Sequence, residues 1–382
     1  MTQELKIHFP GKLVFGKGSI GNLADEILLL FPRKVLLVTI NPLLAKLQPL
    51  INKLEASSIV VQIDTSIVQE PTFADFTTLM QAITPFNPDV VVGIGGGSVL
   101  DVAKLVAAQL ENDQTLTDML GIGNLSGRRK KLICVPATSG TGSEASPNAI
   151  LVDDSDNQKK GIISPFLVPD IVYVDPLLTL SVPPSITAAT GIDALTHCLE
   201  AYTNKFAQPF IDMYAFEGMR LIASNIVQAV RNGADEEART QVAMGSLLGG
   251  FCLGPVNTAG VHALSYPLGS MFHLAHGLSN ALLLPYVMEF NMPASVCRYA
   301  QVATALGCER GADCAETAAR GVQKIRELVQ KCGIPARLRD VNIPKDAIPH
   351  MADDALKITR LLKNNPREIT RDDAIAIYTA AY

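Results

Sequence analysis

Four of the six histidines lie in one stretch of the chain, residues 190–277, together with an acid that can join them. Asp193 and His197 are spaced i, i+4, so on a helix both side chains leave the same face about one turn apart. His262 and His276 follow within a run of apolar and small residues. A divalent cation held by one carboxylate and three imidazoles is an ordinary partner for such a set. The pattern therefore indicates a metal site, whose net positive charge would attract an oxygen lone pair.

The same residues have a plainer interpretation. An Asp/His pair at this spacing also arises by chance, and a single histidine on a helix is more often a hydrogen-bonded core or surface residue than a ligand. The two later histidines and the glycine-rich motifs of the first half of the chain favour the metal site.

The elements that must position these residues follow from the hydropathy pattern. Up to about residue 180, short β-rich runs that are apolar on both faces alternate with amphipathic runs, as in a doubly wound α/β domain with a parallel sheet. After Pro183 and Pro184 long helical segments follow. We therefore predict a dinucleotide-binding α/β domain over residues 1–181 and an all-helical metal-binding domain over residues 182–382. The predicted strands are 34–39, 59–63, 89–94, 131–136 and 171–175, and the predicted helices are 42–57, 98–111, 185–202, 209–232, 236–253, 261 onward, 293–306 and 312–332.

Length and charge limit the possible functions. At 382 residues, with 48% apolar and 18% charged residues, the chain suits a globular protein of two domains. A net charge of −5 gives no electrostatic reason to expect nucleic acid or an anionic membrane as a partner.

The location in the cell follows from three further features. No apolar stretch reaches the roughly 18 residues needed to cross a bilayer, and the N-terminus lacks the basic start and apolar run of a signal peptide. The seven cysteines are scattered and include no Cys-x-x-Cys pair, which argues against a disulfide framework or a thiolate zinc site. We therefore expect a cytoplasmic protein with reduced thiols.

A glycine-rich segment, residues 89–104, has the order strand, turn, helix. The three glycines Gly95–Gly97 let the backbone approach an anion, and the following helix offers free N–H groups and the positive end of its dipole. Ser98 and Asp101 have the spacing of a capping box, which predicts a defined helix start. A pyrophosphate is the natural guest, with a tight glycine turn that binds nothing as the alternative.

A second loop strengthens this interpretation. Residues 136–144 also follow a predicted strand and carry hydroxyls and glycines, which hydrogen-bond phosphate or ribose without adding charge. Two such loops after strands of one parallel sheet would lie at its carboxyl edge, where dinucleotides bind. Together they predict a dinucleotide cofactor.

These motifs resemble those of the iron-containing (group III) alcohol dehydrogenase family, and the likeness runs from end to end of the chain. It is carried by the segments Phe9–Gly18, Gly95–Asp101, Pro136–Glu144, Asp193–Tyr202 and His262–Ala281. The resemblance implies a nucleotide-binding α/β domain, a helical domain and an active site between them. It also implies a metal-dependent, NAD(P)-linked alcohol dehydrogenase or aldehyde reductase that acts on a small alcohol or carbonyl, and a homodimer or larger homo-oligomer.

The resemblance assigns the site residue by residue. The family's metal ligands, for Fe²⁺ and in some members Zn²⁺, match Asp193, His197, His262 and His276. Its nucleotide contacts match Gly95, Gly96, Gly97, Ser98, Asp101, Thr138, Ser139, Thr141, Ser143, Lys159 and Thr179. For Lys159, a solvated surface lysine beside Lys160 is the alternative.

This chain departs from the family pattern at two positions. Ile40 stands where many members carry an acid that hydrogen-bonds the adenosine ribose and repels a 2′-phosphate, so the cofactor is either NAD or NADP. Tyr266 stands four residues after His262, where many members carry a histidine thought to relay the substrate proton. A phenol can pass a proton but is a poorer base than an imidazole at neutral pH. Tyr266 and His273 are therefore the candidate catalytic residues, with pocket shaping as the alternative role of Tyr266.

Two other reactions compete with this interpretation. A maleylacetate reductase would use the same cofactor, but that branch generally lacks the complete metal set found here. A metal- and NAD-dependent lyase that resembles dehydroquinate synthase would share the two-domain plan. Its polyanionic substrate would need a strongly basic pocket, whereas the stretches around the presumed ligands are largely apolar. These apolar residues instead suggest a small or moderately apolar alcohol.

Overall fold

The computed structural model describes residues 5–382, so the first residues of the segment used to judge a signal peptide, 1–4, lie outside it. The chain forms two compact units. The first unit contains residues 8–138 and 143–179, and the second contains residues 139–142, residues 180–382 and the N-terminal residues up to 7. The domain boundary between residues 181 and 182 stays a prediction. Within residues 5–382, no helix combines the length and the hydropathy that a membrane span requires.

The first unit is built on parallel strands, as predicted. Its strands are β1 (Lys12–Phe15), β2 (Lys34–Val38), β3 (Val60–Asp64), β4 (Val90–Gly95), β5 (Gly121–Ile122), β6 (Lys131–Pro136), β7 (Asn148–Asp153), β8 (Gln158–Ile163) and β9 (Ile171–Val174). Six of them form one sheet in the order β1-β9-β6-β4-β2-β3, and every neighbouring pair is parallel. Strand β4 is buried at every residue, as expected for a strand covered on both faces. A second sheet, β5-β8-β7, contains an antiparallel hairpin that the hydropathy pattern did not predict.

In the first unit, helices alternate with strands along the chain. The second unit is made of helices. The helices of the first unit are α1 (Leu23–Leu28), α2 (Leu44–Ala56), α3 (Phe73–Ile83), α4 (Gly97–Gln109) and α5 (Leu116–Met119). Those of the second unit are α6 (Pro184–Thr203), α7 (Pro209–Arg231), α8 (Glu236–Leu253), α9 (Gly260–Phe272), α10 (His276–Asn291), α11 (Val296–Ala305), α12 (Cys314–Lys331), α13 (Ile348–Ala355), α14 (Thr359–Leu362) and α15 (Arg371–Ala381). The described part of the second unit contains no strand, so the predicted change to an all-helical half is confirmed.

The two glycine-containing loops begin side by side. In the sheet the chain moves from β2 outwards to β3, then returns to the other side of β2 for β4 and continues to β6, so the strand order reverses between β2 and β4. Gly95 at the end of β4 pairs with Pro136 at the end of β6. The side chain of Thr138 lies beside Gly96. Both loops therefore start at the carboxyl edge of the sheet, next to the point of reversal where such folds bind dinucleotides.

Helix α4 begins differently from the prediction. It starts at Gly97, its N-cap is Gly96, and no side chain of the described residues caps it, so the predicted capping box of Ser98 and Asp101 is wrong. Asp101 instead accepts hydrogen bonds from Ser143 Oγ at 2.5 Å and from the N–H of Ile150 at 3.0 Å. Its carboxylate therefore ties α4 to the segment that leads into β7. The uncapped helix start leaves the first-turn N–H groups available to an anion.

Helix α6 is the central helix of the second unit. Helices α7, α8 and α10 pack against it, and every residue from 191 to 203 is buried. Arg239 fixes its start, because its guanidinium donates to Thr187 Oγ1 at 2.7 Å and to the carbonyl of Val182 at 3.1 Å. Gly218 on α7 allows close packing, since a Cβ there would lie 2.5 Å from the sulfur of Cys198. The i, i+4 pair of the sequence analysis is thus carried by a rigid, buried helix.

Gly142 has no room for a side chain. Its φ of +60° is a left-handed conformation that favours glycine, and an added Cβ would lie 2.4 Å from Gly250 Cα on α8. We therefore expect Gly142→Ala to lower the free energy of unfolding by about 1–3 kcal/mol, through backbone strain and displacement of the loop. Urea unfolding followed by circular dichroism measures this difference.

Gly127→Ala is the matched control, because nothing lies within 4 Å of a Cβ at that position. Equal stabilities of the two variants would contradict the role given to Gly142.

Candidate metal centre

Three helices bring the predicted ligands together. Asp193 and His197 lie on α6, His262 lies in the first turn of α9, and His276 is the first residue of α10. The Nε2 atoms of His197, His262 and His276 lie 3.7, 3.5 and 3.8 Å from Asp193 Oδ1. Four ligands bonded to one ion at about 2.1 Å in a tetrahedron are about 3.4 Å apart, so these separations fit a divalent cation.

Three of the four form the tightest group. The donor atoms of Asp193, His262 and His276 all lie within 4.8 Å of one another. His197 lies beside this group, and its ring stacks on that of His262 with 4.8 Å between the centroids and 22° between the planes. The set of four as ligands to one ion stays a prediction, and His197 is the member that the geometry places at the side of the cluster.

Burial and charge set the protonation of two of these groups. Burial alone would raise the pKa of the Asp193 carboxyl, but the neighbouring imidazoles of His197, His276 and His262 hold that pKa well below its usual range. Burial lowers the pKa of His197, although the negative charge of Asp193 opposes the shift. An ionised carboxylate and a neutral imidazole are the forms that bind a cation.

Glu200 orients the ring of His262. One carboxylate oxygen, Oε2, lies 2.6 Å from Nδ1 of His262, and the other, Oε1, accepts the N–H of Val261 at 2.6 Å. Because Nδ1 is bound to Glu200, Nε2 faces Asp193. In metal sites, a carboxylate commonly orients a histidine ligand in this way. Burial lowers the pKa of His262, but the negative charges of Glu200 and Asp193 outweigh it and raise the pKa to about 10. Metal uptake at neutral pH would therefore release a proton from this ring.

Asn280 contacts three of the predicted ligands at once. Its Nδ2 donates to Asp193 Oδ1 at 2.6 Å and lies 3.1 Å from His262 Nε2 and 3.3 Å from His276 Nε2. Since one NH₂ group lies within 3.3 Å of all three atoms, these atoms surround a common point. Neither Asn280 nor Glu200 was predicted from the sequence as a member of the site. Their spacing was the available signal, because Glu200 follows His197 by one helical turn and Asn280 follows His276 by one turn.

Gly277 permits the approach of α10 to α6. A Cβ at this position would lie 2.4 Å from the carbonyl oxygen of Ala189 and 3.3 Å from Cβ of Asp193. Because the backbones of the two helices are in contact here, His276 on α10 is held next to Asp193 on α6. The glycine that follows His276 is therefore part of the site.

The two predicted catalytic residues occupy different surroundings. The ring of Tyr266 lies 6.0 Å from that of His276, and Tyr266 Oη accepts a hydrogen bond from Arg360 Nη2 at 2.9 Å. His273 is exposed at the C-terminal end of α9 and has a left-handed conformation with φ of 55°. Both roles stay predictions, with Tyr266 next to a predicted ligand. Arg360 was not identified from the sequence, since it lies 94 residues after Tyr266.

The predicted nucleotide contacts fall into two sets. Gly95, Gly96, Gly97, Ser98 and Thr138 lie at the carboxyl edge of the sheet, and Ser139 and Thr141 belong to the loop that continues from it. The others form bonds within the protein. Lys159 on β8 pairs with Glu70 at 2.5 Å, and Thr179 donates to the carbonyl of Pro176 at 2.7 Å. Asp101 and Ser143 bond to each other. Their contacts to a cofactor stay predictions.

Comparisons with known proteins agree with this geometry. Residues 10–176 match the family model "Iron-containing alcohol dehydrogenase", and residues 187–382 match "Fe-containing alcohol dehydrogenase family, C-terminal". The chain is 38% identical to Long-chain-alcohol dehydrogenase 1 of Geobacillus thermodenitrificans (strain NG80-2), over 99% of this chain and 96% of that protein. A crystal structure of 1,3-propanediol oxidoreductase aligns with a TM-score of 0.95 and 31% identity over 100% of both chains. Sulfoacetaldehyde reductase from Bifidobacterium kashiwanohense, in complex with NAD⁺, aligns with a TM-score of 0.88 and 27% identity over 99% of both chains.

The role of Glu200 can be tested by Glu200→Gln. The amide can still accept the hydrogen bond from His262 Nδ1 but carries no charge, so we expect Zn²⁺ affinity to fall about 10- to 100-fold while the fold is retained. Competition with a chromogenic chelator measures the affinity. Glu237→Gln, which removes an exposed carboxylate on α8, is the control. An affinity for Zn²⁺ equal to that of the control would show that the negative charge of Glu200 does not contribute to metal binding.

Gly277→Ala tests the contact between α10 and α6. The added methyl group collides with the Ala189 carbonyl, so α10 must move and carry His276 away from Asp193. We expect substoichiometric metal in the purified variant, measured by elemental analysis, with an unchanged far-ultraviolet circular dichroism spectrum. Gly127→Ala is again the control, and full metal occupancy in Gly277→Ala would argue against this account.

Proposed function

Because the chain belongs to the iron-containing alcohol dehydrogenase family, we propose that Asp193, His197, His262 and His276 hold the divalent cation of an NAD(P)-linked alcohol dehydrogenase. The enzyme transfers a hydride between the nicotinamide and a small alcohol or carbonyl compound, in either direction. One observation carries the assignment of the metal site: three imidazole nitrogens lie 3.5–3.8 Å from one oxygen of a buried carboxylate. Such a set suits a cation better than any hydrogen-bonded core.

The proposed ligands would hold a cation beside the substrate oxygen. Fe²⁺ or Zn²⁺ bound there would act as a Lewis acid that polarises the carbon–oxygen bond of the substrate. Asp193 contributes the one negative charge among the ligands, so the loaded site keeps a net positive charge. Glu200 holds Nδ1 of His262 and thereby directs Nε2 towards the common point. Burial of Asp193, His197 and His262 keeps water from the ligands and strengthens their electrostatic interactions.

We assign the proton transfer to Tyr266. Its ring lies 6.0 Å from that of His276, which supports a position next to the substrate oxygen. A phenol at this position can pass a proton between the substrate and solvent. His273, exposed at the end of α9, is the second candidate, as a later member of the same relay.

The cofactor is NAD or NADP, bound at the carboxyl edge of the sheet. The glycines Gly95–Gly97 and the uncapped start of α4 suit the pyrophosphate, and Thr138, Ser139, Thr141 and Ser143 supply hydroxyls. Asp101 acts on this loop through Ser143, and Lys159 and Thr179 complete the proposed contacts. Ile40 offers no carboxylate to the adenosine ribose, so both cofactors are admitted.

Cellular setting and assembly belong to the same proposal. The described cysteines are all free thiols, which suits a reducing compartment such as the cytoplasm. We also propose a homodimer or larger homo-oligomer, as the family resemblance implies. Size-exclusion chromatography with light scattering tests the assembly.

Metal removal tests the proposed function directly. We expect the protein to bind one Fe²⁺ or Zn²⁺ per chain and to lose NAD(P)H-linked aldehyde reduction at least about 100-fold on chelation, because the polarising charge is lost. Absorbance near 340 nm follows the turnover, and added Fe²⁺ or Zn²⁺ should restore it. A lyase would instead show no net change in the cofactor.

Asp193→Asn serves as the matched variant, since it removes the ligand charge with little change in volume and should lower metal content and turnover together. Asp212→Asn, which alters a carboxylate on α7 paired with Arg298, should lower neither. A metal-free preparation with full turnover would refute the proposed function.

A further inference from the structure

Arg360 is a charged residue near the candidate site that the metal chemistry does not use. It lies on the short helix α14, and its side chain is partly exposed. Within residues 5–382, its hydrogen bonding is limited to Tyr266 Oη, at 2.9 Å, and it forms no ion pair with a carboxylate. A guanidinium has five N–H donors, so most of them remain available to a ligand.

Several other arginines of the described chain pair with carboxylates, whereas Arg239 and Arg367 bond to neutral oxygens. Arg128, Arg298, Arg326 and Arg371 pair with Asp170, Asp212, Glu289 and Asp353, respectively. Asp212, Glu289 and Asp353 each accept from two nitrogens of their arginine, and Asp170 accepts from one nitrogen of Arg128. Arg360 is instead held by a neutral phenol, which orients the guanidinium without cancelling its charge.

The ring of Tyr266 connects Arg360 with the predicted metal ligand His276. The centre of the Tyr266 ring lies 6.0 Å from the guanidinium carbon of Arg360 and 6.0 Å from the ring of His276. His276 Nε2 in turn lies 3.8 Å from Asp193 Oδ1. Tyr266 is thus next to both the oriented cationic group and the group that would hold the metal.

We propose that Arg360 binds an anionic group of the substrate, so that the enzyme prefers short aldehydes and alcohols that carry a carboxylate or a sulfonate. The inference rests on the proposed function, because it takes the carbonyl end of the substrate to be held at Asp193, His262 and His276. Both anions offer oxygens in the geometry that a guanidinium binds through two parallel hydrogen bonds. The hydrogen bond to Tyr266 keeps the fork in place before the substrate arrives.

The sequence suggested a small or moderately apolar alcohol. The substrate proposed here instead has two polar ends, a carbonyl or hydroxyl group and an anion. A partly buried, unpaired guanidinium would disfavour an apolar chain in its place, because the chain would remove its water without supplying an acceptor. The anion therefore contributes to recognition in the bound ground state and in the transition state alike. Loss of Arg360 should raise KM with little change in kcat.

The test compares matched aldehydes with metal-loaded wild-type enzyme and Arg360→Gln. Succinate semialdehyde and sulfoacetaldehyde carry the anion, and the methyl ester of succinate semialdehyde and butanal are the neutral counterparts. We expect the wild type to prefer the anionic compounds, and Arg360→Gln to lose about 10- to 100-fold in kcat/KM for them, mainly through KM, with less than about threefold change for the neutral ones. Arg360→Lys keeps the charge without the fork and should fall between them.

A binding measurement gives a readout independent of turnover. Calorimetric titration with isethionate, the alcohol of sulfoacetaldehyde, should give a weaker dissociation constant for Arg360→Gln than for wild type. Arg339→Gln, an exposed arginine of the same unit, should behave as wild type. Melting temperature and metal content of every variant are recorded, and Arg360→Lys replaces Arg360→Gln if the latter does not fold.

The outcomes separate the two proposals. A response to only one of the two anions identifies that anion and supports the inference. Equal losses on anionic and neutral aldehydes, or a wild type without preference for the anionic compounds, would overturn it while leaving the dehydrogenase activity in place. Failure of the wild type to reduce any aldehyde with NADH or NADPH would refute the proposed function itself.

Discussion

A carboxylate almost completely shielded from water, Asp193, is the group on which the second unit of this protein depends. Its side chain is 3% exposed, and a charge buried to that degree is costly unless other groups compensate it. The compensation comes from three imidazoles and the amide of Asn280, which are carried by α6, α9 and α10. These helices must therefore meet at one point. Gly277 lets α10 approach α6 at this point, and Glu200 orients the ring of His262 towards it.

Much of the fold followed from local sequence patterns. The predicted strands and the long helices from α6 to α8 agree with the structure to within one or two residues, because hydropathy period and proline positions are local signals. The i, i+4 pair on α6 was recognisable for the same reason. The parallel order of the sheet placed the two loops of β4 and β6 together, as the alternation of strands and helices predicted. His262 and His276 were included because histidines cluster in this part of the chain, and the family resemblance then matched all four residues to metal ligands.

Other parts depended on contacts between distant residues and had no local signal. Arg360 meets Tyr266 across 94 residues, and Asn280 reaches Asp193 across 87. The predicted capping box failed for a related reason. Asp101 has the correct spacing to cap α4, but tertiary structure uses its carboxylate to bind Ser143 and Ile150. The hairpin β7–β8 was missed because its residues are mostly only partly buried, the apolar run of β7 is only four residues long, and β8 begins with polar and charged residues.

The contrast between α6 and α14 bears on how such an enzyme could change its substrate. Every side chain from 191 to 203 on α6 is enclosed, so replacements there disturb close packing, buried charge or both. Helix α14 is one turn long, and Arg360 on it is only partly buried, so we expect its exchange to have little effect on the core. Substitutions that change substrate specificity are therefore expected to lower stability less at α14 than at α6, which carries the predicted metal ligands. A laboratory selection for new substrates would therefore begin by randomising Arg360.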